Sequence, residues 1–318
     1  MKYLIGIDVG GTKIAFGLFD ENKAFIANKK IDSDASISPE NFFDLIVDVI
    51  HKLLKEQQLT IADVLGIGIG LPSYVHFKDG YIVKTGSLPK LHHFPLKSYL
   101  QEKMGNEIKI VIDNDGHAGA LAEYRYGVGK QYDNFVYCPV STGISSSFII
   151  NGEIFRGSYG WSGESGHMLT GNNLNSKKVC GCDNPGCFNS LCSGKMIVNS
   201  VLEWIESGED TIITALAGGI NYITAEHIDK AFEMDDILAK RAVEQMAQYM
   251  AIWLFNIYMI LNINCFVFSG GLLSMGDKLF GRVKALFNSY NNIDYPVYFL
   301  EAKLGDQSGV IGAMELLF

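Results

Sequence analysis

Residues 3–9 (YLIGIDV) and 14–19 (IAFGLF) are apolar, β-branched runs of strand length, joined by Gly10-Gly11-Thr12-Lys13. Two such runs around a glycine pair predict an antiparallel hairpin. A third strand is expected over 25–32. A helix is expected over 38–57, with Pro39 at its start and Phe42, Phe43, Leu45, Ile46, Val49, Ile50, Leu53 and Leu54 on one broad apolar face. Residues 64–71 (VLGIGIGL) read as a buried strand whose alternating glycines leave room for something packed against its backbone. A helix over 94–104, a strand over 108–112 and a helix over 118–126 follow. That strand delivers Asp113, Asn114 and Asp115 at its C-terminal end, where the ligands of α/β sheets gather.

A second strand–turn–strand unit runs from 135–140 through Ser141-Thr142-Gly143 to 147–150, with a hairpin turn at Asn151-Gly152. It repeats the logic of the opening hairpin and predicts two related halves facing each other across a cleft. From 157 to 194 the composition turns to Gly, Ser, Asn and Cys with little periodicity. Helices are expected at 196–206, 225–233 and 236–261, then a strand at 265–268 closed by Ser269-Gly270-Gly271. A helix at 276–290, a strand at 297–300 and a helix at 307–317 end the chain. The pattern is α/β.

Several of these turns carry chemistry. Gly10 and Gly11 let backbone amides approach a ligand that a Cβ would block, and Thr12 and Lys13 add a hydroxyl and a cation that suit phosphate oxygens. Asp8, at the strand end beside them, is placed to hold a hydrated Mg²⁺. An Asp at the end of the 108–112 strand can act as general base toward a hydroxyl. Glu164 and His167 put a carboxylate and an imidazole three residues apart in a glycine-flanked loop. Gly270 and Gly271 would let a purine ring lie against the backbone. Cys180, Cys182 and Cys187 have C-x-C-x₄-C spacing in a turn-rich stretch, which predicts a structural Zn²⁺. His167 and Cys192 are both candidates for the fourth ligand. His76, His92 and His93 read as surface residues, and His117 as a solvated or internally satisfied histidine.

Charge and composition narrow the classes. The 318-residue chain has a net charge of −9 and no basic run to track a nucleic-acid backbone, so no nucleic-acid partner is expected. Lys2 is the only early charge and no cleavage-like segment follows, which does not fit a signal peptide. The apolar stretch 251–268 is broken by Asn256, Asn262 and Asn264 and reads as a buried helix running into a buried strand rather than a membrane span. Six cysteines without an export signal suit a reducing, cytoplasmic setting.

In this order the motifs resemble the ROK family of sugar kinases and repressors, over essentially the whole chain. IGIDVGGTKIAFGLF (5–19) looks like the family's phosphate motif and GIGIGLP (66–72) its G-x-G-x-P strand. VIDNDGHAGALAE (111–123) is similar to its E-N-D-A-N segment. WSGESGH (161–167) resembles its A-G-E-x-G-H, and CGCDNPGC (180–187) its zinc signature. The resemblance implies a two-lobed ribonuclease-H-like, actin/hexokinase-type α/β fold. A small lobe of residues 1–117 would receive the C-terminal helix of about 305–318, and a large lobe of 118–304 would carry a zinc loop at 161–194. It implies phosphoryl transfer from Mg·ATP, bound in the cleft between lobes, to a sugar hydroxyl, usually the 6-OH of a hexose. Asp115 would be the base and Asn114, Glu164 and His167 the sugar ligands, with His167 also completing the zinc site. Asp8 would position Mg²⁺, Gly10–Lys13 and Thr142-Gly143 would face the phosphates, and Gly270-Gly271 would flank the adenosine. The family also implies a homodimer.

The sequence departs from that pattern at Asn189, where the family carries a sugar-binding Glu and where the amide is expected to bind the sugar in its place, and at Ser87, where an Asn is usual. The second phosphate turn reads Ile144-Ser145-Ser146-Ser147 rather than glycine-rich, leaving serine hydroxyls to face phosphate. Gly116 and His117 replace Ala and Asn. A repressor of the family carries a DNA-binding domain ahead of the first hairpin, for which the motif at Ile5 leaves no room. A sugar sensor without turnover is the other reading, favoured by Asn189 and the serines and opposed by Asp8, Gly10–Lys13 and Asp115.

Overall fold

A computed structural model describes residues 2–171 and 180–318; residues 172–179, part of the expected zinc loop at 161–194, lie outside the described residues. The chain runs through β1 (Tyr3–Val9), β2 (Lys13–Asp20), β3 (Phe25–Asp32), α1 (Pro39–Glu56), β4 (Val64–Leu71), β5 (Ser73–His76), β6 (Tyr81–Thr85), α2 (Leu96–Met104), β7 (Lys109–Asn114) and α3 (Asp115–Tyr126). It continues through β8 (Phe135–Pro139), β9 (Ser147–Ile150), β10 (Glu153–Phe155), α4 (Asn189–Cys192), α5 (Gly194–Glu206), α6 (Ile213–Ala217), α7 (Ala225–Glu233) and α8 (Ile237–Leu261). β11 (Cys265–Ser269), α9 (Phe280–Tyr290), β12 (Tyr298–Glu301) and α10 (Ser308–Glu315) complete it. These elements form two compact units. One comprises Met1–Asn134, Ser147–Ser162 and Ala302–Phe318, the other Phe135–Ser146 and Gly163–Glu301. The first unit therefore runs past the expected boundary at residue 117 and includes all of α3, while β8 and β9 of the second strand–turn–strand pattern fall in different units.

The first unit is built on a sheet of order β3-β2-β1-β4-β7, antiparallel from β3 to β1 and parallel from β1 to β7. On one face α1 buries Phe42, Phe43, Ile46, Ile50 and Leu53 against Ile5, Ile7 and Ile69. The Ser38 side chain accepts a hydrogen bond from the Asn41 amide and Pro39 opens the helix, so α1 starts where its cap residues require. On the opposite face Leu4 and Phe19 pack against Val310, Met314 and Leu317, and between these side chains the C-terminal helix lies directly on glycine backbones of the strands. A Cβ on Gly6 would fall 2.0 Å from the Val310 carbonyl oxygen, and one on Gly68 1.7 Å from that of Ala313. On the far side of α10, a Cβ on Gly312 would fall 1.9 Å from the Ala118 carbonyl of α3. The alternating glycines of β4 thus exist to admit a helix. The buried Glu315 carboxylate holds that helix through Lys23 at 2.9 Å and the Tyr126 hydroxyl. Buried Glu123 of α3 accepts the amides of Lys303 and Leu304 at 3.0 and 3.1 Å, which fixes the segment leading into it.

Two local features differ from the sequence-based expectation. Asn114 caps α3 by accepting the Gly116 amide at 2.8 Å, so the helix begins at Asp115 rather than 118. The β5–β6 hairpin, short and set directly after Pro72, carries too little periodicity to stand out in the sequence, and it takes His76 into a strand. The turn at Asn151-Gly152 has positive φ at both residues, as a tight β9–β10 hairpin needs.

The second unit contains the parallel strands β8, β11 and β12. Phe266, Phe287 and Phe299 meet at centroid distances of 5.3–6.0 Å and form part of its core. The apolar 251–268 stretch resolves into the end of α8, stopped by left-handed Asn262, and into β11. Among the described residues no helix is long and apolar enough to cross a membrane.

Gly68→Ala forces either α10 or β4 to move and is expected to cost at least about 3 kcal/mol, the upper range for overpacking. The exposed β4 position Leu65→Ala is the control and should stay within about 0.5 kcal/mol. Equal denaturation midpoints for the two variants would show that α10 does not sit on the strand backbone.

Candidate active site

Two carboxylates stand at the C-terminal edge of the first sheet. Asp8 is half-buried near the end of β1, and Asp115 occupies the first position of α3, exposed to solvent by surface area. Burial, reinforced by the charge of Asp115, pushes Asp8 up to about 6. The protein surrounding Asp115 also raises its pKa, against the opposing Gly116 amide bond and the charge of His117. A carboxylate whose charge is disfavoured by burial and by a second carboxylate suits a divalent cation or a proton in transit. Gly309 of α10 makes room for the first of them, since a Cβ there would fall 2.1 Å from Asp8 Oδ2. Sequence reasoning missed Gly309; its only trace is the Gly309-x-x-Gly312 spacing within an apolar helix.

The glycine turn joins this edge. The Gly10 amide donates to the Lys13 carbonyl at 2.9 Å and the Ser33 amide to that of Thr12. Neither glycine has a positive φ, so the pair serves space rather than backbone freedom. A Cβ on Gly11 would press on Ser87 at 3.1 Å, and the Thr12 and Lys13 side chains are exposed.

A buried ionic group supports Asp115 from below. Asp113, fully buried at the end of β7, accepts His117 Nδ1 at 2.7 Å on one oxygen and Arg156 Nε at 2.7 Å on the other. His117 Nε2 meets the Ser162 carbonyl at 3.1 Å, so both ring nitrogens face acceptors and the ring is held as an imidazolium. Burial alone would raise the Asp113 pKa, but the charges of His117 and Arg156 outweigh it and hold it low; burial likewise works against His117, and Asp113 lifts it. Asn114 is pinned in turn, its amide Nδ2 donating to the Ser73 carbonyl at 3.3 Å. Neither Arg156 nor the role of Asp113 was legible in sequence, because Arg156 arrives from a hairpin more than forty residues away.

In the second unit, His167, Cys180, Cys182 and Cys187 place one donor atom each within 4.8 Å of one another. Backbone bonds from Thr170 to Gly186 and from Phe188 to Met168 zip the two segments together and bring His167 Nδ1 to 3.5 Å from Cys180 Sγ and 4.0 Å from Cys187 Sγ. Those separations are close to the edges of a tetrahedron with Zn–S of about 2.3 Å. Hydrogen bonds from Cys187 and His167 lower the Cys180 pKa and favour its thiolate. Cys192, the other candidate, points away into α4's core side, its Sγ donating to the Phe188 carbonyl at 3.3 Å, and burial pushes its thiol up. His167 turns its Nε2 toward Glu164 at 3.8 Å.

The unusual residues of this unit are cross-links. Asn189 accepts the Ile144 amide at 2.9 Å through Oδ1 and donates through Nδ2 to Cys180 Sγ at 3.3 Å, coupling the cysteine–histidine cluster to the 141–144 turn. Ser146 is buried, and its hydroxyl meets Ser165 Oγ at 2.7 Å, which also accepts the indole N–H of fully buried Trp253 at 2.9 Å. Ser146 therefore ties its turn to the Glu164–His167 loop and does not face outward to phosphate. Gly166 completes the joint, since a Cβ there would fall 2.1 Å from the Ile144 carbonyl.

A cavity of about 410 Å³ opens in the same unit, lined among others by Ser141, Thr142, Lys195, Glu226, Gly271 and Met275. Gly270 has φ +99 and a Cβ there would fall 2.5 Å from the Val140 carbonyl, so this turn accepts only glycine. Gly143 stands beside Asn189 Oδ1, at 3.2 Å from the position of a Cβ.

The pKa shifts of the buried ionic group set a pH window. Asp113 is lowered from 3.8, so its contribution to stability is complete above that value and is lost as pH falls through the folded pKa. His117 is raised from 6.5, so its contribution is complete below 6.5 and is lost as pH rises through the folded pKa. His117→Gln is therefore expected to destabilise the protein more at about pH 5.5 than at about pH 9. A penalty that does not change between the two, measured by denaturant titration, would mean that His117 is neutral in the folded protein.

Comparison with known proteins accounts for this arrangement. The glucokinase of Halalkalibacterium halodurans is 27% identical over 98% of this chain and 93% of its own, and the xylose repressor of Bacillus subtilis is 27% identical over 99% of this chain and 77% of its own. The crystal structure of a ROK family glucokinase from Streptomyces griseus in complex with glucose and AMPPNP superposes with a TM-score of 0.80 at 25% identity, covering 99% of this chain and 98% of that one. The fold is the α/β, actin/hexokinase type of those structures. With residues 4–318 matching the ROK family throughout, the chain belongs to that family.

Proposed function

We propose that this protein is an ATP-dependent sugar kinase that transfers the γ-phosphate to a hydroxyl, the 6-OH of a hexose or a related sugar. The observation that carries the reading is Asp115, a carboxylate of raised pKa at the head of a helix, electrostatically coupled to Asp8 beside the glycine turn. Asp115 takes the proton from the attacking hydroxyl, and its raised pKa makes it a stronger base than an ordinary carboxylate. Asn114, fixed by Ser73 and the Gly116 amide, orients the sugar. Glu164 and the Nε2 side of His167 bind further sugar hydroxyls, and Asn189 supports that loop. Gly10, Gly11, Thr12 and Lys13, with Thr142 and Gly143, receive the phosphates, and the cavity beside Gly270 and Gly271 takes the adenosine.

Asp8 fits a Mg²⁺ ion, since a cation offsets both the burial and the Asp115 charge that raise its pKa. When bound, the ion neutralises charge on the transferring phosphoryl group. The three cysteines and His167 fit a structural Zn²⁺, which shapes the sugar loop through Asn189 and leaves phosphate untouched. A sugar sensor without turnover is the second reading, and the similarity to xylose repressors favours it.

Asp115→Asn should lower kcat by about 10² to 10⁴ in a coupled ADP-release assay while sugar-induced thermal stabilisation persists. Unchanged turnover would remove Asp115 from the base role, and stabilisation of the wild type without turnover on any sugar would establish the sensor. Metal analysis of the purified protein is expected to find one zinc per chain, and Cys187→Ser to release it with a fall in melting temperature. A metal-free wild type would show the four donors to be an unliganded cluster.

A further inference from the structure

The first unit carries an aromatic shelf that the chemistry above does not use. Strand β5 alternates, with Ser73 and Val75 buried and Tyr74 and His76 on the other face. Residues 159–161 lie along that strand because Gly160, at φ +104, approaches the Val75 carbonyl where a Cβ would fall at 2.5 Å. Tyr159 and Trp161 stack at 5.2 Å with an interplanar angle of 19°, Tyr74 meets Trp161 edge-on at 6.0 Å, and His76 lies 6.5 Å from Tyr159. Tyr159 is 60% exposed and Trp161 and Tyr74 are half-buried. The rings are held by the group that supports Asp115. Arg156 pairs with Asp113 and lies 3.9 Å over Phe77, and the carbonyl of Ser162, next to Trp161, meets His117 Nε2. Ser73, next to Tyr74, accepts from Asn114 Nδ2. The shelf is thus fixed in register with Asn114 and Asp115, one residue removed from each tether.

Its chemistry is specific. Tyr159 stands mostly in water over the half-buried Trp161 and Tyr74, so the three rings form one contiguous aromatic patch, and a contiguous apolar patch rimmed by polar groups is the form an interaction site takes. These rings are edged by the His76–Asp79 ion pair at 2.8 Å and by two phenolic hydroxyls, so the surface offers flat apolar faces with polar groups around them. A pyranose ring matches that pattern, with a C–H face to lie on an indole or phenol and hydroxyls at its rim; a lipid or an apolar peptide does not.

We propose that the shelf formed by Tyr74, Tyr159 and Trp161 is a subsite for the second sugar ring of a glycoside whose reactive ring is held at Asn114 and Asp115. The substrate class is then a disaccharide or other glycoside rather than a free hexose. The inference rests on the sugar-kinase reading. One experiment separates the two. The ratio of kcat/KM for α- and β-linked disaccharides over free hexoses is measured for the wild type, Tyr159→Ala, Trp161→Ala and Trp161→Phe, with calorimetric titration of the same sugars in parallel. The wild type is expected to favour its best disaccharide by at least about tenfold, and both alanine variants to lose about that factor, mainly in KM. Trp161→Phe, which keeps an aromatic face, should retain most of the preference. A wild type that prefers free hexoses, or alanine variants that lose both classes equally, would overturn the subsite. Absence of turnover on every sugar overturns the kinase reading instead. Calorimetry then decides the shelf: disaccharide binding lost in Tyr159→Ala and Trp161→Ala but kept in Trp161→Phe sustains it, and any other binding pattern rejects it.

Discussion

The close approach of one helix backbone to two strand backbones governs the first unit. α10 rests on Gly6 and Gly68, presents Gly312 to α3, and passes Asp8 at Gly309. Each contact is between main chains or between main chain and carboxylate, so none can relax by a rotamer change. The consequence is functional. The same short helix touches the strand that ends in Asp8 and the helix that begins with Asp115, and so sets how these two carboxylates stand to each other. Glu315 and Glu123, both buried, hold the helix and its approach segment by charge-assisted hydrogen bonds that would be costly to leave unmade.

Three acidic residues at this sheet edge then acquire three different characters from their surroundings. Asp113 is buried but faces His117 and Arg156, and remains ionised. Around Asp115 the neighbouring protein desolvates the carboxyl enough to outweigh its bonds to the Gly116 amide and its own amide, and its proton affinity rises. Asp8 is raised by burial and by Asp115 together. Two positions along the chain separate a carboxylate held as an anion from one of raised proton affinity, because the strand end turns Asp113 inward and the helix start turns Asp115 outward. The ionic group under Asp115 also holds Arg156 and Ser162, which ties the support of Asp115 to the placement of the aromatic rings.

In the second unit the departures from the family pattern are packing solutions. Asn189 spans from a turn amide to the Cys180 sulfur, and Ser146 reaches Ser165 beneath the Trp253 indole. Both replace conformational freedom in a loop-rich region with hydrogen bonds in a buried setting, where such bonds are strongest. The Glu164–His167 loop, the 141–144 turn and the cysteine cluster are thereby one mechanical piece.

The amino-acid sequence by itself determined the elements with strong periodicity, among them β1, β2, α1, β4 and α8, and the family motifs that point to Asp8, Asp115 and the cysteines. These are signals written in adjacent residues, where spacing and side-chain chemistry act over one or two turns of chain. It also marked the glycines of β4 as a place of close approach, without indicating what approaches. Tertiary structure decided that this is α10, some 240 residues onward, and that His167 rather than Cys192 joins the cysteines. It decided that Asn189 bonds the Ile144 amide and Ser146 bonds Ser165, that Arg156 sustains Asp113, and that Tyr74, Tyr159 and Trp161 make one surface. Each of these depends on segments distant in the chain meeting in space, and the packing that brings them together has no period that a single sequence can display.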